Sequence, residues 1–95
     1  MVFKDEILRG LFSRVLRVTG ISHREILAHI REKRVIEARF IVMLALRKHG
    51  LSSASIGRML NRDHTTILSG MQSCRRRYDE NPGFRALFDE VMRDS

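Results

Sequence analysis

Tryptophan is absent from this chain of 95 residues, and cysteine, proline and tyrosine occur once each. A lone cysteine, Cys74, cannot close an internal disulfide. On an apolar helix stripe it reads as a small buried hydrophobe in a reducing cytoplasm. One proline and six glycines are too few for a β-rich or disordered chain. No apolar run approaches the roughly 20 residues that cross a bilayer. Asp5 and Glu6 stand where a secretory leader would be basic. No G-x-x-x-x-G-K-[ST] phosphate loop occurs. His23 and His29 are six apart and His64 and Cys74 ten apart, which matches no zinc-ligand spacing. Asp63 and His64 are helix neighbours without a nucleophile elbow. These absences point away from an enzyme, a metal and a cofactor.

What is present is a 43% hydrophobic, aliphatic chain of one-domain size with a net charge of +7. The charge is uneven: residues 29–51 and 52–77 carry +4 each, whereas residues 78–95 carry −3. A basic middle and an acidic tail fit one face turned to a polyanion and a terminal helix turned away. A solvated basic surface would have the same composition.

Periodicity predicts helices throughout. Residues 5–18 read as an amphipathic helix with Ile7, Leu8, Leu11, Phe12, Val15 and Leu16 inward, stopped by Thr19-Gly20. Ser22-His23-Arg24-Glu25 is a capping box opening a short helix with Ile26, Leu27 and Ile30 apolar. HIREKR, residues 29–34, is a charged break. From Arg34 to His49 a long helix has almost no polar face at its middle, so it is the expected core, and Gly50 ends it. After Ser52 or Ser53 as N-cap, Ile56, Met59 and Leu60 share one helix face, and Asn61 breaks the pattern. Ile67, Met71, Cys74 and Tyr78 form the stripe of the next helix. Asn81-Pro82-Gly83 reads as a turn before a final helix with Phe84, Leu87, Phe88 and Val91 inward. The expected fold is all-α: one domain of about six helices, a helix-turn-helix at about 52–77 and a closing helix at about 83–93.

Arg62, Asp63, His64, Thr65 and Thr66 precede the stripe of the second motif helix, and no core needs them. At that place in a helix-turn-helix, side chains reach base edges in the major groove. Asp accepts from cytosine, Thr offers a methyl and a hydroxyl, and His donates or accepts. Asp63 and the threonines would equally serve as helix caps.

An RDHTT run opening a helix, after a helix containing Ile56-Gly57, resembles the C-terminal DNA-binding domain of the bacterial replication initiator DnaA, a Trp-repressor-like fold. Ala38-Arg39 followed by FIVML resembles that family's Ala-Arg element, whose arginine binds a phosphate. The likeness runs from about Ile7 to the last helix. It implies that Arg62, Asp63, His64, Thr65 and Thr66 lie at the major groove of double-stranded DNA. By its spacing from Arg39, it implies that Arg31 enters the minor groove, where a narrow groove rewards an arginine. Lys33 and Arg34 could share that work, or the segment could be a solvated loop. Lys33, Arg34, Arg39, Arg47, Lys48, Ser52 and Arg58 are then candidates for phosphate contacts that position without specifying.

Three departures from the family pattern stand out. Leu60 and the single Asn61 replace a two-glycine turn, Phe40 stands where the family often has Gln, and Ser53-Ala54 replaces a Leu-Pro pair. The resemblance implies sequence-specific binding at sites like the initiator's recognition box, in replication or transcription, within the cytoplasmic nucleoid. A rival reading is an adaptor that binds the initiator or other replication or transcription proteins with little DNA specificity. Another is an excised domain of a complete initiator. None involves a membrane.

Overall fold

Six consecutive residues, Ile41 to Leu46, are buried together in the middle of one helix, and every other helix packs around it. That helix, α3 (Lys33–Lys48), also buries Val35 and Ala38, so its middle has no solvent face. The computed structural model describes the backbone of residues 3–93 and the side chains of residues 6–93 except Ile7. Asp5 and Ile7, expected in the first turn and on the inner face of the first helix, lie outside the described side chains. The remaining helices are α1 (Phe3–Thr19), α2 (His23–Leu27), α4 (Ser53–Leu60), α5 (His64–Glu80) and α6 (Pro82–Arg93). No strand occurs among the described residues.

On α1, Leu11, Phe12 and Val15 face the core, with Leu8 and Val18 at its margin. Leu16, expected inward, is 48% exposed. At 100° per residue it falls well past the sector that the others define. The predicted capping box of α2 is present. Ser22 Oγ accepts from the Glu25 N–H at 3.2 Å, and Glu25 Oε1 accepts from the Ser22 N–H at 2.9 Å. Hydrogen bonding from Ser22, its backbone N–H foremost and then its side chain, holds the Glu25 carboxyl below its ordinary pKa.

Two boundaries differ from the sequence pattern. The helix expected to reach Ile30 ends at Leu27, with Ala28 extended and Ile30 36% exposed. The expected turn at residues 81–83 shrinks to one residue. Asn81 takes its N–H to Arg77 O at 2.8 Å, and its Oδ1 accepts from the Phe84 N–H at 3.0 Å. Pro82 is the first residue of α6, where a missing N–H costs nothing and the fixed φ suits the helix. Across the bundle, Arg14 Nε donates to Val91 O at 2.8 Å, tying α1 to the end of α6.

The α4–α5 corner is closely packed. Asn61 ends α4 in the left-handed region at φ 56°, and the Arg62 N–H closes back on Gly57 O at 2.8 Å. Asparagine is among the few residues that tolerate this conformation, and the six-residue closure is of the Schellman kind. A Cβ on Gly57 would meet the carbonyl oxygen of Arg62 at 2.6 Å and the amide nitrogen of His64 at 3.5 Å. Backbone is the obstacle, so it cannot rotate away. Gly57→Ala is expected to destabilise the domain by about 1–3 kcal/mol, the usual range for overpacking. A urea midpoint lower than that of the parent, at equal slope, is the readout; an unchanged midpoint would show that the corner can widen freely.

Candidate nucleic-acid interface

The first motif helix is built to be buried on one side. Ile56 and Leu60 are fully buried, and Ser52 caps the helix by accepting from the Ser55 N–H at 3.1 Å. Ser52 and Arg58, both expected at phosphates, are exposed and linked through one hydroxyl. Ser52 Oγ lies 3.2 Å from Ser55 Oγ, which accepts from Arg58 Nη2 at 3.2 Å.

The second motif helix presents its N-terminus to solvent. Ile67, Met71 and Cys74 anchor it, while Asp63, His64, Thr65 and Thr66 are all exposed. Burial pushes the Cys74 thiol up to about 12, so at neutral pH it is an inert thiol packed against α3. Asp63 occupies the N-cap position without a side-chain capping bond. Its Oδ2 instead accepts from the Thr65 hydroxyl at 2.7 Å, and His64 Nδ1 lies 3.7 Å from its Oδ1. The Thr65 hydrogen bond is the main reason that the Asp63 carboxyl sits below its ordinary pKa. Asp63 is therefore an ionised, acceptor-only group with one oxygen oriented in advance.

One residue on this face escaped the sequence pattern. Leu68 is 51% exposed, one helical turn beyond His64 and Thr65. It stands 100° from Ile67 and so outside the buried stripe. That mismatch between a large apolar side chain and its register was the signal available in the sequence. Ser69, Gln72 and Arg76 continue the exposed side of α5.

Arg62, expected at the major groove, has its guanidinium bonded to the end of α2 and to its own corner. Its Nη2 donates to Ala28 O at 2.8 Å, and its Nη1 lies within bonding distance of Leu27 O at 3.1 Å, Leu60 O at 2.9 Å and Asn61 O at 3.3 Å. The guanidinium turns inward because the last carbonyls of α2 need donors. Arg39, expected at a phosphate, is drawn to the same place. Its Nε donates to Ile26 O at 2.9 Å, and its Nη2 to Ala28 O at 2.8 Å and Ile30 O at 3.4 Å. Burial, and then the charge of Arg62, lower the Arg39 pKa from its ordinary value.

These bonds tie the segment at residues 28–32, through Ala28 O and Ile30 O, to α3 and to the α4–α5 corner. Arg31 on that segment is exposed. Lys33 and Arg34, also exposed, follow at the first turn of α3, where Arg34 Nη2 reaches Thr19 O at 3.4 Å. Arg47 and Lys48 are exposed at the other end of α3, roughly 20 Å away at 1.5 Å per residue. Arg47 Nη1 donates to Leu51 O at 3.1 Å, and Lys48 Nζ stands 5.9 Å from the Phe88 ring centre. The two basic pairs thus cannot serve one phosphate. Among the described residues, no three His, Cys, Asp or Glu side chains group as metal ligands, and no helix is long and apolar enough to cross a membrane.

The family model described as the bacterial dnaA protein helix-turn-helix matches residues 11–74, more than half of the chain. No curated protein matches the chain.

The Asp63–Thr65 bond has a direct test. Thr65→Val keeps the shape and removes the donor, so the Asp63 carboxyl should titrate at a higher pH than in the parent. Carbon-detected NMR titration of that carboxyl reads the shift; an unchanged midpoint would show that Thr65 does not hold it.

Proposed function

We propose that this chain, which belongs to the bacterial DnaA helix-turn-helix family, binds double-stranded DNA sequence-specifically at sites resembling the initiator's recognition box. Such a protein would act in replication initiation or in transcription near those sites. The observation that carries the reading is the exposed cluster Asp63, His64, Thr65 and Thr66 at the start of an otherwise anchored helix, with Arg31 on the adjoining segment. A helix N-terminus in the major groove and an arginine in the neighbouring minor groove form one continuous footprint.

Within that footprint the roles follow from side-chain chemistry. Asp63 accepts from a cytosine amino group, His64 and Thr65 bond to base edges, and the Thr65 and Thr66 methyls meet thymine methyls. Leu68 supplies apolar surface one turn deeper in the groove, which the small Ser53-Ala54 pair does not offer at the start of α4. Ser52, Arg58, Lys33 and Arg34 position the domain on phosphates near the motif, and Arg47 and Lys48 do so farther along α3. Arg62 is left out of the base readers and Arg39 out of the phosphate contacts, because their guanidiniums serve α2.

Fluorescence anisotropy at near-physiological salt, comparing a recognition-box duplex with a scrambled one, tests the reading. A preference of roughly a thousandfold or more is expected; a ratio near one, with binding lost as salt rises, would leave only a basic surface. His64→Ala should cost about 1–3 kcal/mol on the preferred duplex and nothing on the scrambled one. Equal losses on both would make His64 a structural residue. Leu68→Ser should reduce the preference for thymine over uracil at one position of the site, and undiminished methyl discrimination would remove Leu68 from the interface.

A further inference from the structure

Two guanidinium groups meet at one carbonyl. Ala28 O accepts from Arg39 Nη2 and from Arg62 Nη2, each at 2.8 Å, although Arg39 comes from α3 and Arg62 from the α4–α5 corner. No carboxylate is among the hydrogen-bond partners of either arginine in the described structure. What holds two cations together is the negative end of α2, whose last carbonyls point at them.

The segment that these bonds hold has little else to hold it. Its backbone is tied at one end by the Ala28 N–H on Arg24 O at 3.1 Å. At the other end Glu32 O accepts from the Ile36 N–H at 3.0 Å. Among the described residues no backbone-to-backbone bond lies between those two points. Ile30 is 36% exposed, and Arg31 and Glu32 are exposed too, so apolar packing contributes little. The path of residues 28–32 is set by arginine side chains. One of those arginines immediately precedes Asp63 and His64.

We propose that Arg62 is a positioning residue: its fork, sharing Ala28 O with Arg39, locks the Arg31 segment to the start of α5, so that the two groove contacts work as one unit. This rests on the two-groove reading above and adds a mechanical link to it. An arginine is required because its planar fork reaches carbonyls of two different segments at once. A lysine carries the same charge as a single point and cannot replace that geometry.

Arg62→Lys therefore separates the link from charge. Without DNA, nitrogen-15 relaxation should show the order parameters of residues 29–32 falling from about 0.85 to below about 0.6, with α5 unchanged. Unchanged order parameters in the segment would overturn the proposal. With DNA, the penalty for Arg31→Ala on the preferred duplex should shrink from about tenfold in the parent to less than about twofold in the Arg62→Lys background. The penalty for His64→Ala should stay the same in both. An Arg31→Ala penalty equal in the two backgrounds would overturn the link. So would an Arg62→Lys effect that couples to His64 and not to Arg31, the signature of direct base contact by Arg62. If the parent protein does not distinguish the two duplexes, the two-groove reading fails, and the DNA-free relaxation still decides whether Arg62 holds the segment. Should Arg62→Lys not fold, Arg39→Lys removes the other half of the shared contact and carries the same expectations.

Discussion

A five-residue helix cannot satisfy its own last carbonyls, and α2 is five residues long. The C-terminal end of a helix leaves four such acceptors, nearly the whole length of α2. Donors must come from elsewhere in the chain, and Arg39 and Arg62 supply them. That requirement draws α3, the end of α2 and the α4–α5 corner to one place. The exposed N-terminus of α5 and the segment that carries Arg31 are thereby linked through Arg62. A helix of five residues thus joins three parts of the chain.

The corner next to it is a solution to a shortage of chain. With only Asn61 between the last core residue of α4 and Arg62, the backbone must reverse within one left-handed residue. It does so by passing so close to α4 that position 57 has room for no side chain. The turn at Asn61 is therefore a close-packed corner, and α5 leaves it with its N-terminus exposed. Glycine at position 57 and asparagine at position 61 answer the same constraint from opposite sides.

Charge is distributed by the same logic of what must be satisfied locally. Arg77 of the three-arginine run on α5 is half-buried, pairs with Glu37 at 3.3 Å and lies over the Phe40 ring. Phe40, which stands where the family often has a glutamine, here packs against the core and receives that cation. Arg76 points outward, and Arg75 is exposed near Lys48 and Tyr78. The acidic residues of the last helix include Asp89, which accepts from the Tyr78 hydroxyl at 3.1 Å. Only part of the net charge is consequently available to a polyanion.

The helices, their order and most of the core were legible in the sequence, because burial follows a period that apolar residues display directly. Leu11, Val15, Ile56, Leu60, Ile67, Met71, Phe84 and Phe88 lie where that period puts them. So does the choice of Asn61 for a reversal, since few residues tolerate a left-handed backbone. The early end of α2, the inward turn of Arg62 and Arg39 and the exposure of Leu16 were not legible. A long charged side chain has the same local pattern whether it reaches for solvent, a phosphate or a carbonyl far along the chain. Which one it finds depends on acceptors brought near by packing, and those exist only once the bundle has closed. Hydrophobic period is written along the chain; the partners of an arginine are a property of the assembled surface.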